Sequence, residues 1–219
     1  MGFLSVNIQI SGREALLIGA GSVGLRKMEA LLKAGASLRV VEPNPCDSVV
    51  DLCDKGRIRL ERAFDEAFFD PCPIVFIAVD DEIQSAAIAA SARSRGLFVN
   101  SADRPLESDF FLPAVVDQEP FRIAVSTDGA SPALAAEVAA ELRERYRGYG
   151  VLVELLGRLR QLVLKSDLDP AERRKVFIAL AKQREQLVSL LENRSYQKAR
   201  ELIVGRLGKV KLPLDFPLP

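Results

Sequence analysis

The 219-residue chain has no histidine and no tryptophan, only three cysteines and two methionines, and no excess charge of either sign, thirty basic residues standing against thirty acidic ones. Each absence removes a class of function. Without a net basic field nothing global gathers nucleic acid or an anionic membrane surface, so neither is expected as a partner. Cys46, Cys53 and Cys72 are too few and too irregularly spaced for a disulfide framework or a paired-thiolate zinc site. With histidine missing as well, no resident metal is expected. No apolar run approaches the length of a membrane span, and the opening MGFLSVNIQISGRE has neither a basic start nor a long apolar core, so a cytoplasmic protein is expected. The lack of histidine also narrows mechanism. A proton acceptor working near neutral pH must be a carboxylate, a lysine, a thiolate or a tyrosine.

What is present is a core-forming composition, 48% hydrophobic, arranged with a clear rhythm. Glu14 to Ile18 is a short apolar run; IGAGSVGLRK follows; Met28, Leu31 and Leu32 then recur at helical spacing before Gly35. Leu38 to Val41 predicts a second strand, Asp47 to Lys55 a helix, and Ile58 and Leu60 a half-exposed strand. Ile74 to Val79 is continuously apolar, the pattern of a strand buried on both faces. An alanine-rich helix over Glu82 to Arg95 and a strand from Leu97 complete an alternation that predicts a parallel, doubly wound α/β sheet of Rossmann type. After Asn100 the alternation stops. Phe110 to Val116 and Phe121 to Ser126 predict two strands joined across Asp117 to Pro120, and Ser131-Pro132 opens a helix to Tyr146. From Gly150 only helical patterns remain: Asp169-Pro170-Ala171-Glu172 reads as a capping box, and Val176, Leu180, Leu187 and Leu191 lie on one face of the helix it opens. The expected division is 1–104 dinucleotide-binding, 105–147 a small α+β dimerisation segment, and 148–219 a helical domain.

Three glycines in six residues are weak evidence alone, but this G-x-G-x-x-G follows a strand, opens a helix, and is answered about twenty residues later by an acid, Glu42, at the end of the next strand. Gly19 then makes the tight turn, Gly21 lets backbone approach a pyrophosphate, and Gly24 allows close helix packing, while the helix start offers unpaired N–H groups. Glu42 would accept ribose hydroxyls and repel a 2′-phosphate, which favours NAD over NADP. FAD proteins share the loop and adenosyl-methionine enzymes share the acid. Asp80, beside Asp81, falls at the carboxyl edge of the same sheet, where either cofactor contact or helix capping is open to the pair.

GAGSVGLRK at Gly19 to Lys27, IAVDD at Ile77 to Asp81, VNSADRPLESDFFLPA at Val99 to Ala114 and AVSTDGASPALA at Ala124 to Ala135 together resemble the precorrin-2 dehydrogenase family, which includes the bifunctional dehydrogenase/ferrochelatases of siroheme synthesis. The resemblance implies NAD-dependent oxidation of precorrin-2 to sirohydrochlorin by a homodimer. It implies that Asp103 is the proton acceptor, that Ser22, Val23, Pro43 and Asn44 join the glycines around NAD, and that cations meet the substrate's carboxylates. Glu42 departs from the family, many of whose members have a small residue there, and the change strengthens the NAD preference. Arg26, Lys27, Arg104 and Arg122 are the candidates, with Thr127 and Ser131 beside them as substrate contacts. Thr127 stands where some relatives carry a phosphorylatable serine, and Asp128 replaces a common glycine, which puts the local backbone shape in question. Metal insertion by the same site and a non-catalytic NAD-sensing module are the rival readings. The first lacks a histidine to deliver metal, and the second gives no reason for the VNSAD and STDGASP segments.

Overall fold

Strand β1 (Glu14–Ile18) has its last four residues buried, and β4 (Ile74–Ile77) is buried throughout. A strand covered on both faces needs apolar side chains at every position, and EALLI and IVFI supply them. The computed structural model describes residues 3–102, 104 and 108–207. Between those two central strands and around them lie α1 (Ser22–Lys33), β2 (Ser37–Val41), α2 (Asp47–Asp54), β3 (Ile58–Glu61), α3 (Glu82–Ser94) and β5 (Phe98–Ser101). All five strands are parallel, in the order β3-β2-β1-β4-β5, so this is a Rossmann-like α/β sheet. Alternation along β1 splits the core in two: Ala15 and Leu17 pack with Met28 and Leu31 of α1 and Val49 of α2, whereas Leu16 and Ile18 pack with Ile88, Ala89 and Ala92 of α3. The helices therefore cover both faces and leave the strand ends open.

Some elements differ from the sequence expectations. β4 stops at Ile77, two residues short of the apolar run's end, although the Ala78 N–H still donates to Ile18 O at 2.7 Å. A 3-10 turn at Glu66–Phe69, for which the local pattern shows no signal, inserts Phe69 into the α3-side core. Phe110 to Pro113 is not strand. Phe110 is held by its ring against Phe76, 5.3 Å between centroids, and its carbonyl accepts from Asn100, so β6 begins only at Ala114.

The backbone separates into two units, the first reaching Leu112 and taking back Asp128–Ala130, the second comprising Pro113–Thr127 and the residues from Ser131 onward. In the second, β6 (Ala114–Gln118) and β7 (Phe121–Val125) form an antiparallel hairpin backed by α4 (Pro132–Arg145). Then come α5 (Tyr149–Leu164), α6 (Pro170–Lys182), α7 (Arg184–Glu192) and α8 (Tyr196–Leu207). The Asp169 capping box is present as expected. The long helical face is a correction: α6 ends at Lys182, and Leu187 and Leu191 belong to α7. The break spares the core, since Val176, Leu180, Leu187 and Leu191 are buried in one cluster with Leu152, Leu155 and Ile203. No described helix is long and apolar enough to cross a membrane.

Candidate functional site

The segments leaving the carboxyl ends of all five parallel strands surround one cleft of about 1030 Å³, centred where the strand order reverses between β1 and β4. Open parallel sheets bind their ligands at such a reversal. Gly19 to Val23 form its floor. Gly19 sits at φ +92°, and a Cβ there would lie 2.1 Å from the Ala78 carbonyl oxygen; a Cβ on Gly24 would lie 2.2 Å from the Gly19 oxygen. Both contacts are with backbone, so no side chain fits at either position without moving the loop. A Cβ on Gly21, the N-cap of α1, would meet nothing within 4 Å. The Leu25 N–H is bonded to Gly21 O at 2.8 Å, the first bond of the helix, so the amides of Ser22, Val23 and Gly24 precede it as first-turn donors with no partner inside the helix. No acid occupies that first turn, and Val23 is 48% exposed over the cleft. The residues present thus fit a dinucleotide pyrophosphate, as its charge and its need for closely approaching amides require.

Glu42 directly follows β2 on the adjoining wall with Pro43 and Asn44, and its Oε2 accepts the Ala20 N–H at 2.7 Å while Oε1 accepts the Asn44 N–H at 3.0 Å. Each carboxylate oxygen keeps a second lone pair for a ribose hydroxyl. The two neighbouring aspartates separate in role: Asp81 caps α3 by accepting from Ile83 and Gln84 N–H at 2.9 and 3.0 Å, and Asp80 is exposed in the cleft. Arg62, Phe64 and Cys46 also line the cleft and were not anticipated. The signal for Arg62 was available, because the segment after every parallel strand opens on the same edge, and Arg62 follows β3 directly. Its Nη1 donates to the Pro43 carbonyl at 3.3 Å.

Asp103 lies outside the described residues, but both flanks of its segment are firmly tied. Ser101 N–H donates to Ser108 Oγ at 2.9 Å, Ser108 Oγ donates back to Ser101 O at 3.1 Å, and Asn100 Nδ2 donates to Phe110 O at 2.8 Å. Lys27 is occupied here: its Nζ donates to Asn100 Oδ1 beneath the Phe76 ring, and burial pushes its ammonium below the ordinary lysine value. Arg26 is exposed on α1, and Arg104 approaches Glu82 at 3.7 Å.

In the second unit, Arg122 is paired with Asp117 at 2.9 Å and Glu119 at 2.8 Å across the hairpin. Thr127 Oγ1 accepts the Ser131 N–H at 3.0 Å, and Ser131 Oγ accepts the Leu134 N–H as the N-cap of α4. Between them in sequence, Asp128 and Gly129 both adopt positive φ, 51° and 81°, so the aspartate at the glycine position takes the left-handed backbone itself. A concavity of about 440 Å³ beside Tyr146 and Tyr149 is walled by three arginines and three glutamates and offers a ligand no net charge.

Residues 6–114 match the family model described as putative NAD(P)-binding. The chain is 34% identical over 176 residues to the siroheme synthase of Methylococcus capsulatus, covering 80% of this chain and 37% of that protein. It is 37% identical over 179 residues to the siroheme synthase of Pseudomonas paraeruginosa, covering 81% and 38%. It therefore spans well under half the length of these curated relatives. Among solved structures it is similar to SirC, a precorrin-2 dehydrogenase, with TM-score 0.71 and 23% identity over 93% of this chain and 98% of that one, a likeness of fold. The cofactor class is NAD(P), in agreement with the fit of the glycine loop.

Proposed function

We propose that this chain, whose residues 6–114 match the putative NAD(P)-binding family model and which is similar to part of the siroheme synthases, catalyses NAD-dependent dehydrogenation of precorrin-2 to sirohydrochlorin. The observation that carries this reading is the cleft at the strand reversal, with its side-chain-excluding glycines and Glu42, in a chain whose relatives are siroheme synthases. NAD, when bound, supplies the hydride acceptor. The reaction balances as precorrin-2 plus NAD⁺ giving sirohydrochlorin, NADH and one proton, and that proton needs a base. Asp103 is assigned that role because its segment leaves β5 at the cleft, where Ala102 is part of the wall. Ser22 and Val23 donate amides to the pyrophosphate, Glu42 takes the ribose, and Pro43, Asn44 and Asp80 shape the remaining wall. Arg104, Arg122, Thr127 and Ser131 are assigned to the carboxylates of the tetrapyrrole; the existing Glu82, Asp117 and Glu119 partners make those arginines exchange one carboxylate for another.

A homodimer is supported by the β6–β7 hairpin, whose strands pair only with each other among the described residues, and by Val115, 41% exposed on it. The molar mass in solution tests it.

The test of function is absorbance at the NADH band after mixing protein, NAD and precorrin-2, followed by addition of Co²⁺ or Fe²⁺ to sirohydrochlorin. NADH formation without metal insertion is the expected result. Insertion as well would make the chain bifunctional, and NAD binding with neither reaction would make it a sensor.

A further inference from the structure

Ala20 and Glu42 are 22 residues apart, and the hydrogen bond between them joins two strand ends beyond the point where their ladder stops. The last ladder contact, Gly19 N–H to Val41 O, is 2.9 Å. Past it the loop has no regular partner. Glu42 supplies one by dividing its carboxylate, Oε2 to Ala20 N–H inside the glycine loop and Oε1 to Asn44 N–H on its own segment. Ala20 is 6% exposed, and the turn at Gly19 leads straight into the first-turn amides of α1. Whatever fixes Ala20 therefore fixes the direction in which the Ser22 and Val23 amides point.

We propose that Glu42 is a positioning residue for the phosphate-binding loop, so that diphosphate binding depends on it even for a ligand with no ribose hydroxyls to offer. This rests on the reading of the cleft as a dinucleotide site and not on the tetrapyrrole. The alternative roles have distinguishable signatures. A ribose acceptor matters only when hydroxyls are present. A bare charge beside a diphosphate repels it, so its removal would tighten binding.

The experiment titrates ADP and 2′,3′-dideoxy-ADP into the full chain and its Glu42→Gln and Glu42→Ala variants, and follows amide hydrogen exchange of the ligand-free proteins. Glutamine keeps the shape but presents one acceptor and one NH₂, so one of the two amides loses its partner. The expected result is a fall of about tenfold or more in dideoxy-ADP affinity, as for loss of a charge-assisted hydrogen bond, with ADP falling at least as far. Exchange at Ala20 is faster in Glu42→Ala, which removes both acceptors, and the melting curves report that both variants still fold. Dideoxy-ADP affinity that stays level or rises in Glu42→Gln while ADP weakens overturns the proposal. Failure of the unmodified chain to bind either nucleotide would sink the dinucleotide reading instead, and the positioning role would then be decided by exchange at Ala20 alone, an unchanged rate refuting it.

Discussion

Val99 and Asp109 hold each other twice: the Asp109 N–H donates to Val99 O at 2.8 Å, and Asp109 Oδ2 accepts the Val99 N–H at 2.9 Å. The chain that leaves β5 towards the cleft is thereby brought back to the strand it left. Arg93 of α3 adds an ion pair to the same carboxylate at 3.2 Å. Asp109→Ala strands the Val99 amide, 0% exposed, and is expected to cost about 1–3 kcal/mol of unfolding free energy. Urea denaturation of the full chain measures it. A loss below about 0.5 kcal/mol would mean that water replaces the carboxylate and that the bracket contributes little.

For Asp103, Asp103→Asn is expected to lower turnover of precorrin-2 by about a hundredfold or more, the usual scale for losing a general base, with NAD affinity nearly intact. Single-turnover formation of NADH, with NAD affinity measured separately, checks both halves. Turnover within a few-fold of the unmodified chain would remove Asp103 from the chemistry.

The parallel sheet was legible because its central strands β1 and β4 are buried on both faces and α1 and α2 are amphipathic, so period and punctuation carry the fold from Glu14 to Asn100. The glycine loop and Glu42 were legible because short-range spacing encodes them. Arg62, Phe64 and Cys46 were not, since they share a cleft only through sheet topology. Phe110 to Pro113 looks like strand by its apolar content but is claimed by Asn100 and Phe76. The continuous helix through Leu191 failed for a similar reason: the helical period runs across Gln183 without registering that α6 stops there and α7 restarts in the same core.

Two cysteines are expected to differ in reactivity in opposite directions. Cys46 is exposed, and a hydrogen bond with Ser48 at 3.1 Å pulls its thiol below the ordinary value. Iodoacetamide is expected to label it first, Ser48→Ala to slow that labelling, and bound NAD to protect it. Burial pushes the Cys72 thiol up to about 11 from an ordinary 9.0. A thiol that holds its proton more tightly when folded leaves native stability intact below pH 9 and withdraws it as pH rises from there through about 11. The difference in unfolding free energy between the unmodified chain and Cys72→Ala is therefore expected to shrink across that window. A constant difference would show that Cys72 does not titrate there.

The three glycines of the loop are expected to fail in two distinct ways, and the distinction locates the ligand. Gly19→Ala puts a methyl group 2.1 Å from the Ala78 oxygen at a positive φ, and Gly24→Ala puts one 2.2 Å from the Gly19 oxygen. Backbone must move in either case, so both variants should be destabilised by a few kcal/mol, as with other strained or overpacked sites. Gly21 has φ −67° and open space around its missing Cβ, so Gly21→Ala should melt within a degree or two of the unmodified chain. Open space in the ligand-free fold is what a pyrophosphate would fill. Gly21→Ala is accordingly expected to weaken NAD and ADP by about tenfold or more while sparing stability, the cost of losing one charge-assisted hydrogen bond. Calorimetric melting alongside nucleotide titration separates the effects. Full nucleotide affinity in a stably folded Gly21→Ala would mean that the diphosphate does not approach the start of α1 at that residue, and the cofactor would then have to be placed elsewhere along the cleft.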